Sequence, residues 1–113
     1  MNSQTHVDVD TLNMLKEIME DGFSNLLETY LSDSKIRIEE IRKALAAGDS
    51  DTVRRAAHSL KGSSGNLGAN ALAAICLNIE NRGKEENLEG LDVELANAEQ
   101  EFQHVAIIME EML

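Results

Sequence analysis

Residues 52–68 read TVRRAAHSLKGSSGNLG, a segment whose apolar spacing is that of one helix face. At roughly 100° per residue, its apolar and small side chains fall within about 60° of Leu60. These inward positions are Val53, Ala56, Ala57, Ser64 and Leu67. His58 lies at about 160° from Leu60, on the opposite side of the same wheel. The segment therefore predicts an amphipathic helix with one histidine on its water-facing side.

The rest of the chain is also helical in character and contains no proline. Single glycines separate segments of helical length, which predicts helices over about 10–20, 22–47, 49–68, 70–82 and 87–113. An Asp or Ser at 49–51 can cap the third helix, and Gly48 and Gly83 are placed to end the second and fourth. We expect an all-α fold: an antiparallel up-and-down four-helix bundle with a short N-terminal capping helix, forming one domain over residues 1–113.

The last predicted helix carries a heptad stripe that has two interpretations. The stripe consists of Leu88, Leu91, Leu95, Ala98, Phe102, Val105, Met109 and Met112. It could form a coiled-coil dimer, or it could be one wall of the bundle, because both use the same packing geometry. The bundle is favoured because three other amphipathic segments need a partner. We therefore expect a monomer.

The composition excludes several classes of protein. The formal net charge of −11, from 21 acidic and 10 basic residues in 113, argues against nucleic-acid binding, which requires excess Lys and Arg. No run of about 18 apolar residues could span a membrane, and the first ten residues do not resemble a signal peptide. The single cysteine, Cys76, allows no internal disulfide. We therefore expect a cytoplasmic protein with no nucleic-acid or membrane partner.

Residues 52–68 contain Arg54, Arg55 and Lys61 but no acidic residue, so this acidic chain has one basic segment around His58. A zinc site is not predicted, because no second His or Cys lies at ligand spacing. Hydrolase chemistry has no support, because no nucleophilic Ser or Cys is paired with the histidine. An imidazole nitrogen is a competent phosphoryl acceptor, and the three cations could stabilise the resulting anion. His58 is therefore a candidate phosphoryl carrier.

Two glycines, Gly62 and Gly65, fall on the same water-facing side as His58. Each costs a helix about 0.5–1 kcal/mol relative to alanine. Glycines that permit close helix packing would lie on the inward face instead. We interpret the pair as a landing surface, defined as the cleared area that Gly62 and Gly65 form around His58.

The run from His58 to Gly68, HSLKGSSGNLG, resembles the signature of histidine-containing phosphotransfer (Hpt) domains, the helical carriers of multistep phosphorelays. The similarity extends over nearly the whole chain, including Leu72, Cys76 and Ile79-Glu80 on the next predicted helix. It implies that His58 is phosphorylated, that Lys61 contacts the phosphoryl group and that Gly62 leaves room for a partner. It also implies that Glu80 hydrogen-bonds the other ring nitrogen and that Lys84 touches the partner.

The resemblance further implies a role as a carrier rather than an enzyme. His58 would accept a phosphoryl group from a receiver-domain aspartate of a hybrid sensor kinase and pass it to a response regulator. The partner receiver domain would supply Mg²⁺, and this chain would hold no cofactor or metal. We expect a stand-alone carrier, with an excised domain of a hybrid kinase as the other possibility. Three apolar residues of the first helix, Leu12, Leu15 and Met19, could dock the receiver or simply cap the bundle.

One alternative comes from another functional class, a helical adaptor that binds a protein without phosphorylation. An adaptor would have no need of His58 with Lys61 and Gly62 beside it.

Overall fold

The computed structural model describes residues 6–113, which form five α-helices. They are α1 (Val9–Met19), α2 (Gly22–Ala47), α3 (Ser50–Asn66), α4 (Asn70–Lys84) and α5 (Leu91–Glu110). Helix α2 packs against α3 and α5, and α4 packs against the same two helices. The all-α, four-helix bundle with an additional N-terminal helix is confirmed.

The core is built from the stripes that the sequence predicts. Leu60, Val53 and Ala57 of α3 are fully buried, which leaves the opposite face of that helix in water. The buried residues of α5 are Leu91, Leu95, Ala98, Phe102, Val105 and Met109. The heptad stripe is therefore a wall of the bundle.

Side-chain caps mark where α1 and α3 begin. The Asp49 carboxylate accepts hydrogen bonds from the Thr52 backbone N–H at 3.1 Å and from the Thr52 hydroxyl at 2.6 Å. Asp8 caps α1 in the same way, because its carboxylate accepts hydrogen bonds from the backbone N–H groups of Asp10 and Thr11. Gly48 ends α2 with φ of 71°, in the left-handed region that glycine adopts without strain. The caps predicted around residues 48–51 are confirmed.

The connection between α4 and α5 differs from the prediction. Helix α5 begins at Leu91 rather than near residue 87, and Leu88 packs on the core from a loop. Gly90 precedes the helix with φ of 78°, and Arg82 donates to the carbonyl oxygens of Asn87 and Glu89. These contacts hold residues 85–90 as a separate turn. The prediction began the helix too early because Leu88 continues the apolar stripe of α5 although it lies in this turn.

The prediction that Gly83 ends α4 is wrong. The helix continues to Lys84, and Gly83 is buried within its last turn. A Cβ at this position would stand 2.9 Å from the Arg54 backbone nitrogen and 3.1 Å from the Ser50 carbonyl oxygen. Contacts that short are not tolerated between backbone atoms and a methyl group. Gly83 therefore lets the backbones of α3 and α4 approach closely.

The three apolar residues singled out in the first helix differ in their exposure. Leu12 is fully buried, so it caps the bundle and cannot dock a partner. Leu15 packs partly on the core, and Met19 is exposed. The most exposed apolar side chains of α1 are Met14 at 60% and Ile18 at 71%. Of the two interpretations of Leu12, docking or capping, the structure supports capping. The sequence could not decide between them, because the wheel of a short helix does not show which side its neighbours cover.

Gly83 lies in a close helix contact and Gly62 lies in open space, so substitution by alanine should have opposite effects at the two positions. Gly83→Ala should lower the free energy of unfolding by about 1–3 kcal/mol, because the methyl group forces α3 and α4 apart. Gly62→Ala should raise it by about 0.5–1 kcal/mol, because no atom beyond the backbone of its own helix turn lies within 4 Å of the added carbon. Urea unfolding of both variants checks this, and an equal change in the two would contradict the close approach at Gly83.

Candidate functional site

His58 projects from the middle of α3 with its side chain 65% exposed. Its neighbours Ala57 and Leu60 point into the core, so helical geometry turns the imidazole outward. Nδ1 of the ring lies 2.8 Å from Oε2 of Glu80, which projects from α4. The exposed histidine predicted from the helical wheel is confirmed, and the structure brings Glu80 into contact with it.

Glu80 holds a second group as well. Its other carboxylate oxygen, Oε1, lies 2.6 Å from Nζ of Lys61. The Glu80 side chain is only 15% exposed, and burial alone would raise the pKa of its carboxyl group. The ion pair with Lys61 and the hydrogen bond with His58 outweigh the effect of burial and hold that pKa below its ordinary value. The carboxylate therefore stays charged at neutral pH and binds both side chains of α3.

The register between α3 and its neighbours is held by buried contacts behind the site. The Tyr30 hydroxyl of α2 and the Ser64 hydroxyl of α3 form a buried hydrogen bond of 2.7 Å. Burial raises the pKa of Tyr30, with the hydrogen bond to Ser64 opposing it, so the phenol stays neutral. This bond holds α3 against α2, and the close approach at Gly83 brings α4, which carries Glu80, against α3.

The landing surface is open, as predicted. Neither Gly62 nor Gly65 would place a Cβ within 4 Å of another group, and both are exposed. A flat surface can therefore approach the imidazole from this side. Lys84, one turn beyond Glu80 on α4, is also exposed.

The predicted basic segment is largely neutralised by acidic residues from outside it. Arg54 and Arg55 both pair with Asp51, at 2.8 and 3.1 Å, and Lys61 pairs with Glu80. The structure therefore does not assemble three free cations around His58. Asp51 lies one residue before the segment 52–68. A count of charges within that segment therefore missed the carboxylate that pairs with both arginines.

Sequence reasoning missed a histidine pair at another place in the bundle. The rings of His6 and His104 are stacked with centroids 4.4 Å apart, and Nδ1 of His6 lies 2.9 Å from Glu101. His104 and Glu101 are three residues apart on α5, but nothing local shows that the segment before α1 reaches them. Within residues 6–113, no three His, Cys, Asp or Glu residues are grouped to hold a metal ion, and no helix is long and apolar enough to cross a membrane.

Residues 25–111 match the family model of the Hpt domain. The comparison with curated proteins finds no match.

Solved structures of the same kind have the same fold. HptB, a histidine-containing phosphotransfer protein from Pseudomonas aeruginosa PAO1, is 36% identical with a TM-score of 0.91, over 95% of this chain and 93% of that chain. The maize protein ZmHP2 is 25% identical with a TM-score of 0.79, over 91% and 83% of the two chains. An Hpt domain of a Shewanella sensor hybrid histidine kinase, 22% identical with a TM-score of 0.79 over 99% and 96%, shares the fold. The chain belongs to the Hpt domain family, whose role is histidine phosphotransfer in phosphorelays.

Proposed function

We propose that His58 is the phosphorylated residue of this carrier. It accepts a phosphoryl group from a receiver-domain aspartate of a hybrid sensor kinase and passes it to a response regulator. The observation that carries the proposal is the exposed imidazole whose Nδ1 is held 2.8 Å from the Glu80 carboxylate. The cleared surface at Gly62 and Gly65 beside that ring supports it.

The contact with Glu80 selects the reactive nitrogen. An ionised carboxylate only accepts hydrogen bonds, so Nδ1 of His58 must carry the proton that it donates. The lone pair of the neutral ring then lies on Nε2, on the side away from Glu80. The orientation of the ring is fixed at the same time, as when a carboxylate positions a metal-binding histidine. Glu80 is therefore a positioning residue for nucleophilic attack by Nε2.

The transfer itself breaks one bond and forms one. Nε2 of His58 attacks the phosphorus of the aspartyl phosphate while the bond from phosphorus to the aspartate oxygen breaks, and its electron pair stays on the partner's carboxylate. Such transfers depend on in-line positioning and on charge neutralisation. We propose that the receiver domain supplies the Mg²⁺ and most of the catalysis. On this chain, no cofactor is required and no enzyme activity is expected.

The docking surface should extend from the landing surface to nearby exposed residues. Met14 and Ile18 of α1 take the role first assigned to Leu12, because their side chains are the ones in water. Arg54, Arg55 and Lys84 are proposed as contacts at the rim. We propose that the carrier works as a cytoplasmic monomer, since the apolar stripe of α5 is used within its own bundle.

The phosphoryl acceptor is tested by removing each of two histidines. A phosphorylated receiver domain carrying radiolabelled phosphate should transfer the label to the wild type and to His104→Gln, which is remote from the site. His58→Gln should accept none, because the amide has no nucleophilic nitrogen. Label on His58→Gln at the wild-type level would exclude His58 as the acceptor, and no label on the wild type would favour the adaptor.

The landing surface is tested with a bulky side chain. Gly62→Gln should fold normally, because the position is exposed, but should slow transfer by about tenfold for each 1.4 kcal/mol that the side chain costs in the docked complex. Ala96→Gln, with the same new side chain on the exposed face of α5, is the control. Stopped-time labelling measures both rates, and equal rates for these two variants would contradict a landing surface at Gly62.

The charge on Glu80 predicts a specific acid sensitivity. Its pKa is lower in the folded than in the unfolded protein, so the unfolded state binds the proton first. The stabilisation is present above the unfolded pKa of about 4.3 and is lost as pH falls through the lower folded value. Between about pH 6 and pH 3, the wild type should therefore lose more unfolding free energy than Glu80→Gln. Urea melts across this range would refute the prediction if the two slopes were the same.

A further inference from the structure

The Glu80 carboxylate is shared between the reacting histidine and a lysine on the same helix. Oε2 faces Nδ1 of His58 at 2.8 Å, and Oε1 faces Nζ of Lys61 at 2.6 Å. The two arginines of α3 pair with Asp51 instead. Before phosphorylation, Lys61, the first cation after His58 in the sequence, is therefore already bound to a carboxylate.

Phosphorylation changes the charges that Glu80 and Lys61 face. In the unphosphorylated site, the Glu80 carboxylate and the Lys61 ammonium balance each other beside a neutral imidazole. When Nε2 forms its bond to phosphorus, Nδ1 keeps its proton and the ring becomes cationic. The phosphoryl oxygens bring new negative charge on the other side of the ring. The carboxylate then has the cationic ring as its partner, and a second, stronger anion stands within one helical turn of Lys61.

We infer, on the basis of the proposed function, that Lys61 changes partner during the transfer cycle. Glu80 binds Lys61 while His58 is unphosphorylated, and the phosphoryl group takes Lys61 when His58 is phosphorylated. Glu80 then remains with the cationic ring alone. At both ends of the cycle, Glu80 and Lys61 each face an opposite charge, whereas a fixed Lys61–Glu80 pair would leave the phosphoryl group without Lys61.

The exchange needs only side-chain motion. Residues at i and i+3 on a helix are neighbours, so Lys61 stands next to His58 on α3. Its side chain is 29% exposed and has a flexible four-carbon stem. Rotation of this stem can move Nζ from Oε1 of Glu80 towards a group on Nε2 without moving either helix.

The groups around Glu80 limit which charges can take part. His58 and Lys61 face it from α3, and Cys76 lies one turn earlier on α4. Burial, assisted by the charge of Glu80, raises the pKa of the Cys76 thiol to about 12, so the thiol stays neutral. Lys61 is thus the charge that can leave Glu80. Its return to Glu80 favours release of the phosphoryl group to the next receiver.

The exchange is tested on the wild type by nuclear magnetic resonance. Phosphoramidate, which gives its phosphoryl group to histidine and releases ammonia, would load His58 without a partner domain. We expect the ¹⁵Nζ resonance of Lys61 to shift on loading. Glu80→Gln should move that resonance in the unloaded protein and should leave it nearly unchanged in the loaded protein.

A second readout comes from the phosphorus. The ³¹P resonance of phosphorylated His58 should move in Lys61→Met and stay in place in Lys43→Met, which removes an exposed lysine of α2. An unchanged ³¹P resonance in Lys61→Met, or an Nζ resonance that still follows Glu80→Gln after loading, would overturn the exchange. No phosphohistidine signal from the loaded wild type would instead overturn the proposed function, and the exchange with it.

Discussion

The carboxylate of Glu80 is the group on which the rest of the site depends. It belongs to α4, while His58 and Lys61 belong to α3, so both contacts exist only while the two helices keep their register. Gly83 permits that register, because its missing side chain lets the α3 backbone come within contact distance. A packing feature with no chemistry of its own therefore allows the contact between Glu80 and Nδ1 of His58 on which the proposed function rests.

The electrostatics of the site are local and do not follow from the net charge of the chain. The net charge is −11, yet residues 52–68 contain three cations and no acidic residue, which suggests a basic segment reserved for an anion. In the folded protein, Asp51 and Glu80 pair with the three cations of that segment, so the unphosphorylated surface is close to neutral. Such a surface favours recognition by shape, with the glycines leaving room for a partner. In the exchange that we propose, Lys61 becomes available to the phosphoryl group when it arrives.

The parts of the fold that depend on local periodicity could be predicted from the sequence. Spacing around Leu60 placed His58 in water and put both landing-surface glycines beside it. The contact of Glu80 with the ring came from the resemblance to Hpt domains. The rest required three-dimensional register: a helix-ending glycine and a packing glycine look alike in sequence, so Gly83 was misassigned. Leu88 continues the apolar stripe, yet contacts from Arg82 hold it in a loop.

The central claim is that Glu80 holds the proton of His58 on Nδ1 and leaves Nε2 free to accept the phosphoryl group. A long-range ¹H–¹⁵N correlation spectrum of the unphosphorylated wild type, recorded at about pH 8, reads the tautomer directly. The account predicts a protonated, pyrrole-like Nδ1 and an unprotonated, pyridine-like Nε2. A spectrum with the proton on Nε2 would contradict it.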